Sequence, residues 1–174
     1  GSGFHGKGPR SHKTLNPLWG VSVIERILHA FPPLEELVVV TGYRGEQLRA
    51  ELNRKLAGRV NLKFVHNDRW REGNGVSVLA AREALAGQPA FLLSMSDHVF
   101  DRELVRRLIA ASPPAGGAAL AVDRDLAGVY DLADATRVRL DGDGGITAIG
   151  KQLNSFDAVD TGVFYCTPAL FGAL

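Results

Sequence analysis

Only one cysteine and one methionine occur in 174 residues. The single thiol, Cys166, excludes an internal disulfide framework and a cysteine-built zinc cage, and it points to a reducing compartment, so a cytoplasmic location is expected. An excess of one charge sign is also lacking: 20 Lys and Arg face 19 Asp and Glu, a formal net charge of +1. No broad basic field is available to hold a polyanion, so nucleic acid is not expected as the partner, and the ligand should be small. No apolar run approaches the roughly 18 residues of a spanning helix, and the N-terminus lacks a charged-then-apolar leader pattern. The segment is therefore expected to be soluble and to make no membrane contact. Internal repeats, linkers and low-complexity tracts are missing too. What is present, 45% hydrophobic residues, suits one domain with a sizeable core.

Residues 1–20 are rich in glycine and basic side chains and show no period of 2 or 3.6, which reads as a loop carrying backbone donors and positive charge. After it, Val23, Ile24, Ile27, Leu28 and Phe31 recur at helical spacing, with Ser22 as cap and Pro32-Pro33 as stop, predicting a helix over about 22–30. Leu37–Val40 reads as a strand buried on both faces, as in a parallel sheet. Leu48, Leu52 and Leu56 mark a helix over 46–56, and 61–65 a strand. A polar segment, 66–75, leads to a helix predicted over 77–85. Then come a strand at 90–94, a helix capped by Asp101 and running to about 111, and a strand at 118–122. The remainder predicts a hairpin, 137–140 with 146–149, and an additional strand at 159–165. Alternating strands and helices followed by a β-rich tail argue for an α/β layered domain with a mostly parallel sheet.

Gly1, Gly3 and Gly6 match G-x-G-x-x-G only formally, since no strand precedes them and no helix opens at the third glycine. Gly-Ser-Gly at a terminus is also explained as an expression scar. Gly6-Lys7-Gly8 fails the Gly-Lys-Ser/Thr test of a Walker loop. What remains is a glycine loop with Lys13 near its end, then Leu15-x-Pro17-Leu18-x-Gly20 and a helix. This order resembles the signature of sugar-nucleotidyltransferase-like enzymes. The resemblance implies a Rossmann-like nucleotidyltransferase fold in which the loop, here Gly1, Gly3 and His5, cradles a nucleoside triphosphate while Lys13 neutralises it. His5 stands where the family has Arg, and His12 where it has Pro. A neutral imidazole carries no fixed charge, and that supports a rival reading, a nucleotide-binding regulatory domain with impaired catalysis.

Further segments extend the resemblance. Val38–Arg44 resembles the family's second strand and the turn after it, with Tyr43 and Arg44 read as structural. Gly73-Asn74-Gly75-x-Ser77 needs unusual backbone angles or close ligand approach. The resemblance implies that Asn74, Gly75 and Ser77 contact the base; a plain helix cap is the competing account. In Phe91–Asp101 an apolar strand ends near a carboxylate, which sets Asp97 at the carboxyl edge of a parallel sheet, where α/β ligands bind. The family's metal aspartate stands there, so Asp97 is expected to hold Mg²⁺ together with phosphate oxygens and waters. His98 reads as supporting rather than catalytic.

Ile149-Gly150-Lys151 and Phe156–Phe164 are similar to cytidylyltransferases that use inositol 1-phosphate. There, Lys151 would pair with the acceptor's phosphate, and Asp160 and Thr161 would line the polyol pocket, a carboxylate being able to accept from two adjacent hydroxyls. An exposed hairpin lysine and a strand-end turn are the competing structural readings. The implied reaction is Mg²⁺-dependent transfer of a cytidylyl group from CTP, or another NTP, to inositol 1-phosphate, with Lys13, Asp97 and Lys151 as catalytic residues. Hexose-1-phosphate or phosphocholine nucleotidyltransferases are the near alternatives, and a nicotinamide enzyme the outsider. Some relatives are fused to a membrane-embedded domain, which leaves attachment of a parent protein open. Nothing in the sequence signals an oligomeric state. Against that family, residues 1–174 are expected to be a single domain lacking its first strand and a later segment with a second metal aspartate. A gap in the sheet, an incomplete metal site and weak activity of the segment alone would follow.

Overall fold

The structure, a computed structural model, describes residues 13–113 and 115–174. A 3-10 turn at Lys13–Leu15 leads into a small hairpin, β1 (Pro17–Leu18) and β2 (Val21–Ser22), and then α1 (Val23–Ala30). The helix starts where a Ser-x-x-Glu spacing dictates. The Glu25 carboxylate accepts from the Ser22 backbone N–H at 3.3 Å and from the Ser22 hydroxyl, so the helix start is tied to its own first turn. It ends before Pro32-Pro33, which lack the N–H groups needed to continue.

Next come β3 (Glu36–Thr41), α2 (Gly45–Leu56) and β4 (Asn61–His66). β3 and β4 pair in parallel, from Glu36 opposite Asn61 to Thr41 opposite His66. Leu48, Leu52 and Leu56, one turn apart along α2, are buried on that pair together with Ile24 and Leu28 of α1. The opposite flank of α1, Ile27 and Ala30, belongs to a second cluster with Phe31, Val105, Leu108 and Val163. One helix thus holds two parts of the core together.

α3 (Asn74–Ala80), β5 (Phe91–Ser94), α4 (Arg102–Ala111) and β6 (Ala118–Asp123) follow. Asp101 caps α4 as expected, its Oδ1 accepting from the Leu104 N–H at 2.7 Å. The chain closes with the antiparallel hairpin of β7 (Arg137–Leu140) and β8 (Ile146–Gly150), then β9 (Ala158–Cys166) and α5 (Leu170–Ala173).

The α/β layered class is the one read from the sequence, but parallel pairing is scarcer than expected. Among the described residues it is confined to β3 and β4; the five-stranded sheet is antiparallel throughout. The reason lies in β9. Residues 164–166 of β9 pair with β5 and also with β6, so β9 runs between two strands that share a direction. A β5-α4-β6 alternation that reads as neighbouring parallel strands is in fact a parallel pair split by an inserted antiparallel one. The strand expected as an addition is the centre of the sheet.

The helix expected over 77–85 begins earlier and breaks. Gly73, at φ +129°, sets its start, so Asn74 is the first helical residue rather than part of the preceding loop; α3 stops at Ala80, and Glu83–Leu85 forms a 3-10 turn. The β3 and β4 pair and the five-stranded sheet are separate among the described residues, leaving β3 and β5 each with one strand partner. No helix among those residues is long and apolar enough to cross a membrane.

Candidate functional site

The carboxyl ends of β3 and β5 open onto one cavity of about 240 Å³. Apolar side chains such as Ile24, Val39 and Leu52 form its depth, while Thr14, Thr41, Trp70 and Ser96 stand among its polar and aromatic lining. Thr14 is the immediate neighbour of Lys13, and Ser96 of Asp97. The fold therefore brings the segments of these two residues, some 80 positions apart in sequence, to a common recess. Lys13 is exposed in its 3-10 turn while Thr14 is buried, 3% exposed, and anchors it.

Asp97 lies in the turn just past β5. The strand beside β5 is the antiparallel β9, so the expected setting at the edge of a parallel sheet is corrected, although Asp97 does follow the strand's carboxyl end. Its Oδ1 lies 2.9 Å from His98 Nδ1. The His98 ring in turn rests on Gly162: a Cβ at 162 would lie 2.8 Å from His98 Cγ. Gly162 sits at φ +78°, a conformation that glycine adopts without the Cβ penalty, and its N–H donates to Asp160 Oδ1 at 2.6 Å. Thr161 Oγ1 donates to the Ala121 carbonyl at 2.7 Å, fixing β9 to β6 at the same point. Through His98, Asp97 and the 160–162 segment thus form one connected surface. The resemblance set these positions in separate roles, and only the fold shows the contact.

The segment between β4 and α3 is held from within. Asn67, 5% exposed, donates through Nδ2 to Ser77 Oγ at 3.0 Å, and its Oδ1 accepts from the Arg69 N–H at 2.9 Å. Ser77 therefore ties the loop to α3; Asn74 is exposed and Gly75 half-buried beside it. The loop carries Trp70 back over β3. A Cβ on Gly42 would fall 2.5 Å from Trp70 Cβ, so the approach depends on glycine at that position. The Trp70 and Tyr43 rings lie 5.7 Å apart at a 44° tilt. In the sequence, Trp70 is marked only as a tryptophan inside an otherwise polar, Gly- and Asn-containing stretch.

Lys151, in the turn after β8, is paired at 2.6 Å with Asp134 Oδ1, and that bond holds the Asp134 carboxyl below its ordinary range. Both side chains are largely exposed. No bond joins Lys151 to Asp97 or Asp160 among the described residues. Gly1, Gly3, His5 and His12 lie outside those residues. Cys166 is fully buried, and burial pushes its thiol up to about 11, which removes it from consideration as a nucleophile.

No group of three or more His, Cys, Asp or Glu side chains is placed to hold a metal among the described residues. That excludes an all-protein cage there but suits a hard cation that takes one carboxylate and completes its shell with phosphate oxygens and water. Asp97 offers such a ligand, since its side chain is 66% exposed and its Oδ2 has no partner among those residues.

A model of the MobA-like NTP transferase domain matches residues 5–156. Among curated proteins, the "Bifunctional IPC transferase and DIPP synthase" of Rubrobacter xylanophilus is 38% identical over 163 residues, covering 91% of this chain and 35% of that protein. Its namesake from Archaeoglobus fulgidus is 32% identical over 160 residues, covering 91% and 30%. The chain thus spans about a third of the length of the curated relatives it matches. Among solved structures, the inositol-1-phosphate CTP transferase from T. maritima superposes with a TM-score of 0.79 at 22% identity, covering 92% of this chain and 63% of that one. HddC from Yersinia pseudotuberculosis gives 0.71 at 12% identity, covering 93% and 70%. Such likeness at low identity shows the α/β nucleotidyltransferase fold.

Proposed function

Because the chain belongs to the MobA-like NTP transferase domain family, we propose that it transfers a cytidylyl group from CTP to inositol 1-phosphate, giving CDP-inositol and pyrophosphate. The similarity that carries this reading is the 38% identity across nearly the whole chain to a protein named as an IPC transferase. The convergence of the Lys13 and Asp97 segments on one recess is compatible with it.

An oxygen of the acceptor's phosphate attacks the α-phosphorus, and the bond from that phosphorus to the bridging oxygen breaks, its electron pair leaving with pyrophosphate. The acceptor is a dianion at neutral pH and needs no protein base, so the work of the chain is alignment and charge neutralisation. Lys13 meets the triphosphate with the loop containing Gly1, Gly3 and His5. Asn74 and Gly75 face the nucleoside, and Ser77 keeps their segment in place through Asn67. Lys151 exchanges Asp134 for the incoming phosphate, and Asp160 with Thr161 borders the polyol. Asp97 would hold Mg²⁺, which when bound draws charge from the phosphate oxygens. Asp97 itself is oriented by His98, whose ring is seated on Gly162.

This reading includes a strand from the parent protein between β3 and β5, each of which has one strand partner among the described residues. Extending the protein at its N-terminus should then raise its melting temperature and its turnover together. The activity is tested by pyrophosphate release over a panel of NTPs and phosphorylated acceptors, using such an extended protein. CTP with inositol 1-phosphate should be preferred, and Asp97→Ala and Lys13→Ala should abolish release. Unchanged release in both variants overturns the assignment; preference for a hexose 1-phosphate or phosphocholine replaces the acceptor.

A further inference from the structure

The recess at the ends of β3 and β5 has an aromatic wall that the reaction scheme does not use. Trp70 is 37% exposed and Tyr43 59%, although both are large and the core lies close by. The wall is built rather than incidental. Gly42 gives up the volume of a side chain so that the indole can lie on the strand end, and the Asn67 bonds to Ser77 and to the Arg69 N–H hold the loop that carries it. A plain cover for the core would need neither exposed ring faces nor charge. Yet each ring carries a guanidinium, Arg71 at 4.5 Å from the indole centroid and Arg44 at 5.2 Å from the phenol. A planar, delocalised group is thus already accepted on the indole. Planar aromatic faces beside cationic side chains are what a base and its phosphates require.

We propose that Trp70, backed by Tyr43, is the surface on which the nucleobase of the substrate stacks, with Arg71 moving aside or closing over the base. This rests on the nucleotidyl-transfer reading and adds to it the residue that senses the base. Stacking grips any base by its face, so the wall supplies affinity for nucleosides in general; choice among bases is left to polar contacts with their edges.

The test compares two ligands that share the phosphates and differ in the nucleoside. CTP and inorganic tripolyphosphate are titrated, both with MgCl₂, into the 174-residue chain and into Trp70→Leu and Trp70→Phe. Trp70→Leu should weaken CTP by about tenfold or more while tripolyphosphate stays within about twofold, and Trp70→Phe, which keeps a ring, should recover most of the loss. In a Trp19→Phe background, where Trp70 is the remaining tryptophan, CTP should quench the fluorescence and tripolyphosphate should not. That readout stands even if Trp70→Leu fails to fold. Equal weakening of both ligands, or of neither, or CTP binding without quenching, overturns the stacking role and leaves the transferase reading intact. Failure of the unaltered chain to bind CTP overturns the stacking role, while the transferase reading is decided by pyrophosphate release in the extended protein.

Discussion

The imidazole of His98 is seated on the backbone of Gly162, at a point where β9 takes a positive φ. The contact joins the turn after β5 to the centre of the sheet and sets the direction from which His98 Nδ1 meets Asp97. Gly162→Ala should therefore destabilise the fold by about 2–3 kcal/mol, part from the left-handed backbone and part from the clash. Thermal denaturation of the single variant and of Gly162→Ala combined with His98→Ala separates the two. In the double variant, the additional cost of alanine at 162 should fall toward about 1 kcal/mol. An equal cost in both backgrounds would show that the ring does not press on residue 162.

Gly42→Ala tests the other close approach. Its Cβ would meet Trp70 Cβ at 2.5 Å, and the displaced loop should cost about 1–3 kcal/mol. Amide exchange should show the loss concentrated between β4 and α3, where Asn67 and Ser77 hold the loop.

Lys151 and Asp134 offer a contrast between energy and function. The pair is exposed, so Asp134→Asn should leave the stability nearly unchanged. Lys151→Ala should raise KM for the phosphorylated acceptor by about tenfold while leaving KM for the nucleotide nearly unchanged. Steady-state kinetics with each substrate varied in turn gives the answer, and an equal rise for both substrates would remove Lys151 from the acceptor's side.

Glu25 predicts an acid sensitivity. The Lys55 ammonium, 2.7 Å from its carboxylate, and the Ser22 hydroxyl together hold its pKa down to about 2. A carboxylate whose folded value lies below its ordinary one stabilises the fold above the ordinary value, and that contribution is lost as pH falls toward the folded value. Its share should thus be complete above about pH 5 and fade between about 4.5 and 2. Urea denaturation across that range should show Glu25→Gln about 1–2 kcal/mol weaker at pH 6, with the gap closing in acid.

Helices were legible because their signals are local. Ser22, Asp101 and the four-residue leucine spacing from 48 to 56 each act within a few residues of themselves, and α1, α2 and α4 fall within a residue or so of the expected ranges. The strand runs were legible for the same reason, but not their partners. Nothing near Val163 announces that it faces Ser94, and the placing of β9 between β5 and β6 depends on residues 36 to 75 positions away. The site divides in the same manner. Asp97 and Lys13 stood out by motif, while Trp70 on Gly42 and His98 on Gly162 are contacts between segments, visible only after folding.

Because β9 is made after β5 and β6 yet lies between them in the sheet, synthesis order and folding order are opposed. Until residue 166 has left the ribosome, β5 and β6 have no strand between them, and the nascent chain presents two apolar strands with open edges. The sheet must then close in one late, long-range step, which is slow by topology. Yield in cells should accordingly depend on chaperone capacity during the interval between translation of β6 and arrival of β9.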